Sequence, residues 1–232
     1  MQRMKSTIYV INPNSTQTVT AGIDTAMQPL RMAGGPAIKC LTLEAGPPGI
    51  QTQLDVESVT LPLVQLARSL QADAAAIVIA CFSDPALHVV REALTKPVAT
   101  PVLGISECGL LTALTLGHRF GVIAILETSI PRHLRTYGAM GVLDRFAGEL
   151  AIGLQVTELS DYAATLARMI ATGKRLRDEK GADVIVMGCA GMAAFQNPLQ
   201  DALGIAVVEP SQAAVAMAIG RVQLNWHKAV YA

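Results

Sequence analysis

Two segments of the chain place a cysteine straight after an apolar, strand-like run. They are Ile77-Val78-Ile79-Ala80-Cys81 and Ile185-Val186-Met187-Gly188-Cys189. A thiolate is a potent base and nucleophile, so a cysteine at the open end of a strand is a candidate for chemistry. Taken singly, either one reads equally as a small core residue, because buried cysteine is common. Matched placement in two similar segments argues instead for a shared purpose. Cys40 falls inside a strand candidate and Cys108 inside a helix candidate. Both are read as core.

The residues following the strands are the next candidates, since parallel sheets bind ligands at their carboxyl ends. After Cys81 come Phe82, Ser83, Asp84 and Pro85. Ser83 or Asp84 reads as the cap of a helix opening at Pro85. That setting would put Cys81 beside a positive helix end and draw its pKa down from about 8.5 towards neutral. Cys189 lies between Gly188 and Ala190-Gly191, where free backbone N–H groups can approach a ligand. Its helix start reads further on, at Asn197-Pro198. Asn14 and Ser15 follow the first strand and double as a helix cap; Thr128 and Ser129 occupy the same place later in the chain. His88, His118, His133 and His227 follow no metal-ligand spacing and are read as solvated helix faces. The chain has neither a Gly-rich phosphate loop nor a Gly-x-Ser-x-Gly elbow, so nothing supports a nucleotide cofactor.

Short, non-alternating apolar runs alternate with amphipathic stretches. Strands are expected at Thr7–Ile11, Ile38–Thr42, Ala75–Ala80, Val98–Ile105, Phe120–Leu126, Leu154–Glu158, Val184–Gly188 and Ile205–Val208. Helices are expected at Val56–Gln71, Pro85–Leu94, Glu107–Leu116, Tyr162–Lys180 and Gln212–Trp226. This order is that of an α/β fold with parallel sheets covered on both faces. The unit also looks doubled. Ile11 to Ser15 matches Leu126 to Ser129, and Leu103-Gly104-Ile105-Ser106 matches Val208-Glu209-Pro210-Ser211.

The 232 residues suffice for one large domain or two small ones. Half of them are hydrophobic (51%) and only 16% are charged, a globular composition with an apolar excess that hints at surface buried between subunits. Eighteen basic residues balance eighteen acidic ones, with no basic patch interleaved with aromatics, so nucleic acid is excluded as a partner. No apolar run reaches the length of a membrane span or of a secretory leader, and a cytoplasmic protein is expected. The four cysteines are widely spaced and expected to be free thiols.

Three segments together resemble the signatures of the aspartate/glutamate/hydantoin racemase superfamily. They are Ile11-Asn12-Pro13-Asn14-Ser15-Thr16, Ala80-Cys81-Phe82-Ser83-Asp84-Pro85 and Gly188-Cys189-Ala190-Gly191-Met192. The closest likeness is to the hydantoin and allantoin racemase branch. The resemblance implies two flavodoxin-like lobes related by pseudo-twofold symmetry, with the site in the cleft between them. It places residues 1–100 plus 208–232 in the first lobe and 101–207 in the second. It implies that Cys81 and Cys189 act as acid and base, and that Asn14, Ser15, Phe82, Ser83, Thr128, Ser129, Ala190 and Gly191 line the substrate. It further implies a homo-oligomer acting on a small molecule without metal or cofactor.

Amino-acid racemases of the superfamily carry Asp-Ser after the first strand and Thr-His after the second cysteine; here Asn14-Ser15 and Ala190-Gly191 stand there. The loss of charge suits a neutral ring. No Arg or Lys is evident in the strand-end segments to hold two carboxylates. Racemisation of a 5-substituted hydantoin or of allantoin is therefore expected. The alternatives are amino-acid racemisation, maleate cis–trans isomerisation, decarboxylation, or a two-lobed protein that binds a metabolite without chemistry.

Overall fold

A computed structural model describes residues 7–95, 99–155, 158–159 and 161–226. His227 and Val98 lie outside the described residues. The expected α/β class is found: two parallel four-stranded sheets with helices against both faces.

The first sheet holds β1 (Thr7–Asn12), β2 (Ala37–Thr42), β3 (Ala74–Ile79) and β4 (Val102–Gly104), in the order β2-β1-β3-β4. The second holds β5 (Phe120–Ala124), β6 (Phe146–Ala151), β7 (Val184–Met187) and β8 (Ala206–Val208), in the order β6-β5-β7-β8. The same connectivity thus occurs twice. The inner strands β1, β3, β5 and β7 are buried along their whole length. That is why they read as continuous Val/Ile/Ala runs rather than alternating ones.

Helices α1 (Gln17–Ala26) and α9 (Pro210–Gln223) cover one face of the first sheet; α3 (Thr60–Leu70) and α4 (Leu87–Ala93) cover the other, preceded by the short α2 (Gln53–Ser58). In the second sheet, α7 (Tyr162–Asp178) and α8 (Gln196–Leu203) pack on one face. Helices α5 (Ile105–Leu116) and α6 (Ile130–Met140) pack on the other. The helices after the last strands change sides. The helix α5 follows β4 of the first sheet but packs on β7 and β8; α9 follows β8 of the second sheet but packs on β1 and β3. The two exchanged helices lie against each other. The chain therefore passes between sheets at Gly104 and at Val208. The boundary expected at residue 100 falls before β4, which pairs with β3, and the one expected at residue 207 cuts β8, which pairs with β7.

Three expectations change. The strand expected at Leu154–Glu158 includes Val156 and Thr157, which lie outside the described residues, and the edge strand found is Phe146–Ala151, whose half-exposed pattern and central Gly148 conceal it in sequence. The single helix expected over Val56–Gln71 is two, divided at Val59. The helix expected from Pro85 begins at Leu87, because Asp84 and Ala86 take left-handed backbone angles (φ 43° and 58°).

Candidate active site

The carboxyl ends of the inner strands of both sheets open on one pocket, with a cavity volume of ≈ 50 Å³. Cys81 and Cys189 both line it, from equivalent positions after β3 and β7, and the charge of Cys81 acts on Cys189. Of the other expected residues, Asn14, Phe82, Ser83, Ser129, Ala190 and Gly191 also line this pocket. Ser15 and Thr128 do not. Ser15 donates its backbone N–H to the Pro47 carbonyl at 2.9 Å, pinning the Gly46–Gly49 loop to the β1–α1 turn. The Thr128 carbonyl accepts from Arg132 Nη1 at 3.2 Å. Asn14 is a turn-former as well, its Oδ1 accepting from Thr16 N and Asn12 Nδ2, both at 2.9 Å.

Cys81 does not sit on a helix end. The turn after it swings Asp84 away, and that carboxylate caps α5 instead, accepting from the N–H groups of Ser106 and Glu107 at 2.9 Å each. Gly104 makes the approach possible: a Cβ there would lie 2.3 Å from the Asp84 carboxyl carbon. Burial raises the Asp84 carboxyl to about 7, against the pull of those two N–H groups. Hydrogen bonding from Ser83 pulls the Cys81 thiol down. Burial nevertheless pushes its thiol up to about 11, with Asp84 adding to the rise and Arg132 opposing it. The expected fall towards neutral is thus reversed: the donors are present, but desolvation of the anion outweighs them.

Cys189 precedes a 3₁₀ turn over Ala190–Phe195, and its sulfur accepts the Gly191 N–H at 3.3 Å. That turn leads directly into α8 at Gln196, ahead of the expected start at Asn197-Pro198. Gly188 lets the strand end run close beside β5, since a Cβ would stand 2.7 Å from the Ile123 carbonyl oxygen. Burial pushes the Cys189 thiol up to about 12, and the charges of Cys81 and Glu209 add to the rise. Cys108 is buried in α5, as read from sequence, whereas Cys40 is only partly buried on the edge strand β2.

Lining residues that the sequence does not announce include two ionisable side chains, Arg132 and His133 in the first turn of α6. His133 is buried, not solvated: Nδ1 lies 2.7 Å from Glu149 Oε1, and the ring meets Phe82 edge-on at 5.2 Å. Tyr137 donates its hydroxyl to the other Glu149 oxygen at 3.0 Å. Burial and Glu149 together raise the Tyr137 phenol well above its usual value, so it stays a donor. Arg132 Nε donates to Ser83 Oγ at 2.9 Å, and His133 Nε2 is 3.4 Å from the same oxygen. The signal in sequence is position: Arg132 and His133 follow the Thr128-Ser129 strand end and face the cleft from the helix it starts.

The model of the Asp/Glu/Hydantoin racemase family matches residues 8–218. The chain belongs to that family. Membership makes it a racemase-type enzyme, an isomerase. Among its relatives, the hydantoin racemase of Paenarthrobacter aurescens is 31% identical over 223 residues, covering 94% of this chain and 92% of that protein. The allantoin racemase of Klebsiella pneumoniae superposes with a TM-score of 0.87 at 27% identity, over 97% of this chain and 91% of that one. The allantoin racemase of Pseudomonas fluorescens gives 0.88 at 25% identity, over 97% and 94%. The family match spans both sheets, and both pocket cysteines fall within it. Among the described residues, no group of three or more His, Cys, Asp or Glu is arranged to hold a metal ion, and no helix is long and apolar enough to cross a membrane.

Proposed function

We propose that the protein racemises 5-substituted hydantoins, or the related ring of allantoin, by two-cysteine proton transfer at ring carbon C5. One observation carries the reading: Cys81 and Cys189 leave equivalent strands of two sheets and line a single pocket. The hydrogen at C5 is acidic because an adjacent ring carbonyl delocalises the charge left behind as an enolate. One cysteine, as thiolate, takes that proton; the other, as thiol, returns one to the opposite face. For the mirror substrate the roles exchange. The ring supplies its own electron sink, so the reaction asks for no metal or organic cofactor. Backbone N–H groups after Cys81 and Cys189 are the donors suited to the enolate oxygen. The relatives named for hydantoin and allantoin support the substrate class. The apolar composition supports a homo-oligomer, which light scattering would test; the cytoplasmic location belongs to the same reading, and fractionation would test it.

Arg132 favours a second reading. It puts a cation in the pocket lining, where no carboxylate stands, and would suit a substrate bearing an acidic group. Polarimetry of L-5-benzylhydantoin, allantoin, hydantoin-5-acetate and L-glutamate, each with chelator present, separates the two. Loss of rotation is expected with the neutral hydantoin or allantoin. Turnover of the acidic compounds alone would move the assignment to the second reading. Cys81→Ala and Cys189→Ala should each lower the rate by about 10²–10⁴-fold or more, the share of positioned acid–base groups. Cys40→Ala should leave it unchanged. Racemisation surviving in Cys189→Ala would end the two-thiol scheme. Ligand binding with no exchange of the C5 hydrogen for deuterium would reduce the protein to a binder.

A further inference from the structure

A second cleft shares Ser83 and Arg132 with the active pocket, and neither Cys81 nor Cys189 lines it. Its cavity volume is ≈ 580 Å³, against ≈ 50 Å³ for the pocket itself. That is the size of a small-molecule site. We propose that this outer cleft is a second ligand site, and that it takes an organic carboxylate held by Arg132 and Arg135.

Arg132 and Arg135 stand three residues apart on α6 and so share one of its faces. Arg132 is only 9% exposed. Its Nε donates to Ser83 Oγ at 2.9 Å and its Nη1 to the Thr128 carbonyl at 3.2 Å, while Nη2 donates to none of the described residues. Arg135 is exposed; its Nη2 donates to Gln53 Oε1 at 2.8 Å and its Nη1 to the Pro131 carbonyl at 3.4 Å. All four acceptors are neutral. Among the described residues neither guanidinium forms an ion pair. The carboxylates around them are already engaged. Two line the cleft: Asp84 accepts two N–H groups of α5, and Glu107 is paired with Arg91 at 2.5 Å. Two more reach Arg132 by charge: Asp55 accepts the N–H groups of Gln51 and Thr52, and Glu149 is held by His133 and Tyr137. The cleft therefore has two cations that no acid answers. A buried guanidinium without a counterion is costly, and a carboxylate is the partner that its planar fork fits.

The rest of the lining chooses among anions. Val56, Leu87, Leu111 and Met140 give the same cleft an apolar side. An inorganic oxyanion would pair with the guanidiniums and leave that side wet. An acid with an aromatic or alkyl body would cover it as well. The cleft also draws on both halves of the chain: Gln53 and Leu87 come from helices of the first sheet, whereas α5 and α6 pack on the second. A ligand seated there touches the wall of the active pocket without entering it. This is a different place from the one an acidic substrate would take, because Arg135 lines the outer cleft and not the active pocket.

The experiment titrates the full-length protein with phenylacetate, up to about 10 mM, in a calorimeter. The wild-type protein should bind it saturably. Phenylacetamide has the same shape without the charge, and inorganic phosphate has charge without the apolar body. Each should bind at least about tenfold more weakly than phenylacetate. Arg135→Gln should weaken phenylacetate by at least about tenfold, and Arg135→Lys should keep part of the affinity. Arg135 is exposed, so both variants should fold. Protein alkylated by iodoacetamide at Cys81 and Cys189, with its active pocket thus filled, should bind phenylacetate as before. No binding, phenylacetamide or phosphate binding as tightly, an affinity untouched by Arg135→Gln, or binding lost on alkylation would overturn the proposal. None of these readouts uses racemase turnover, so a wrong substrate assignment leaves the test intact, and failure of the outer site leaves the racemase reading where it stands.

Discussion

Cys81 and Cys189 leave equivalent strands, β3 and β7, yet their sulfurs meet different neighbours. Towards Cys81 the second half of the molecule sends charged and polar side chains from α6, Arg132 and His133, backed by Glu149 on β6. Towards Cys189 the first half sends apolar Val19 from α1. Doubling of the chain thus supplies symmetric placement, and the departures from symmetry supply difference. Proton transfer between two like groups needs both. Equal placement lets either face of a carbon be reached; unequal surroundings decide which group holds the proton.

The largest break in that comparison is removal of the support on one side only. Glu149→Ala would leave His133 buried without its partner and Tyr137 without an acceptor. Breaking a buried pair in this way costs about 3–5 kcal/mol, and a fall of that size in unfolding free energy is expected from urea denaturation. Glu149→Gln keeps one acceptor and should lose less. Wild-type stability in Glu149→Ala would show that the His133 cluster carries no weight in the fold. The half around Cys189 has no counterpart among the described residues to lose.

Much of this difference is hidden from the sequence for a physical reason. The doubled framework is legible because fully buried parallel strands must be apolar throughout, so Ile77–Ile79 and Ile185–Met187 announce themselves with their cysteines. The strand Phe146–Ala151 is not legible, since an edge strand with polar and glycine positions loses that signature. Ser83 stands at a strand end and lines the pocket; its bond to Arg132 joins residues 49 positions apart, which no local pattern encodes. His133 carries no sign of burial in the sequence, because a buried histidine is recognised only by its partner, and Glu149 sits on that same edge strand. Asp84 has the sequence position of a cap and is one, but for α5 rather than for the helix that follows it.

The pH dependence of turnover sharpens the comparison next. Burial raises both thiols, Cys81 to about 11 and Cys189 to about 12, so both favour the protonated form at neutral pH. The working species needs one thiolate. Its fraction rises as pH climbs towards the lower of the two values, so turnover should rise about tenfold per pH unit from neutral into the alkaline range. Initial rates measured across that range check it, with the ascending limb belonging to the pair's first ionisation. A rate flat from neutral upwards would mean a thiolate already formed, and would show that the donors around Cys81 outweigh its burial.

The smallest effect separates two caps that do the same job. Each exchanged helix is held at its start by a buried carboxylate. Asp84 reaches α5 from a distant turn, whereas Glu209 caps its own α9 by accepting from Ser211 N and Gln212 N at 3.1 and 2.6 Å. Losing either cap should cost about 1 kcal/mol. Asp84 carries an added burden, because its backbone sits at φ 43°, a region that costs Ala more than Asp. Asp84→Ala should therefore cost about 2 kcal/mol and Glu209→Ala about 1, with strain making up the difference. Asp84→Asn, which keeps the left-handed turn and one acceptor, should fall below both. Urea midpoints of the three variants give the order directly. Equal losses for the two Ala variants would mean that the turn after Cys81 relaxes freely, and that its left-handed residues do nothing to fix Ser83 against the sulfur.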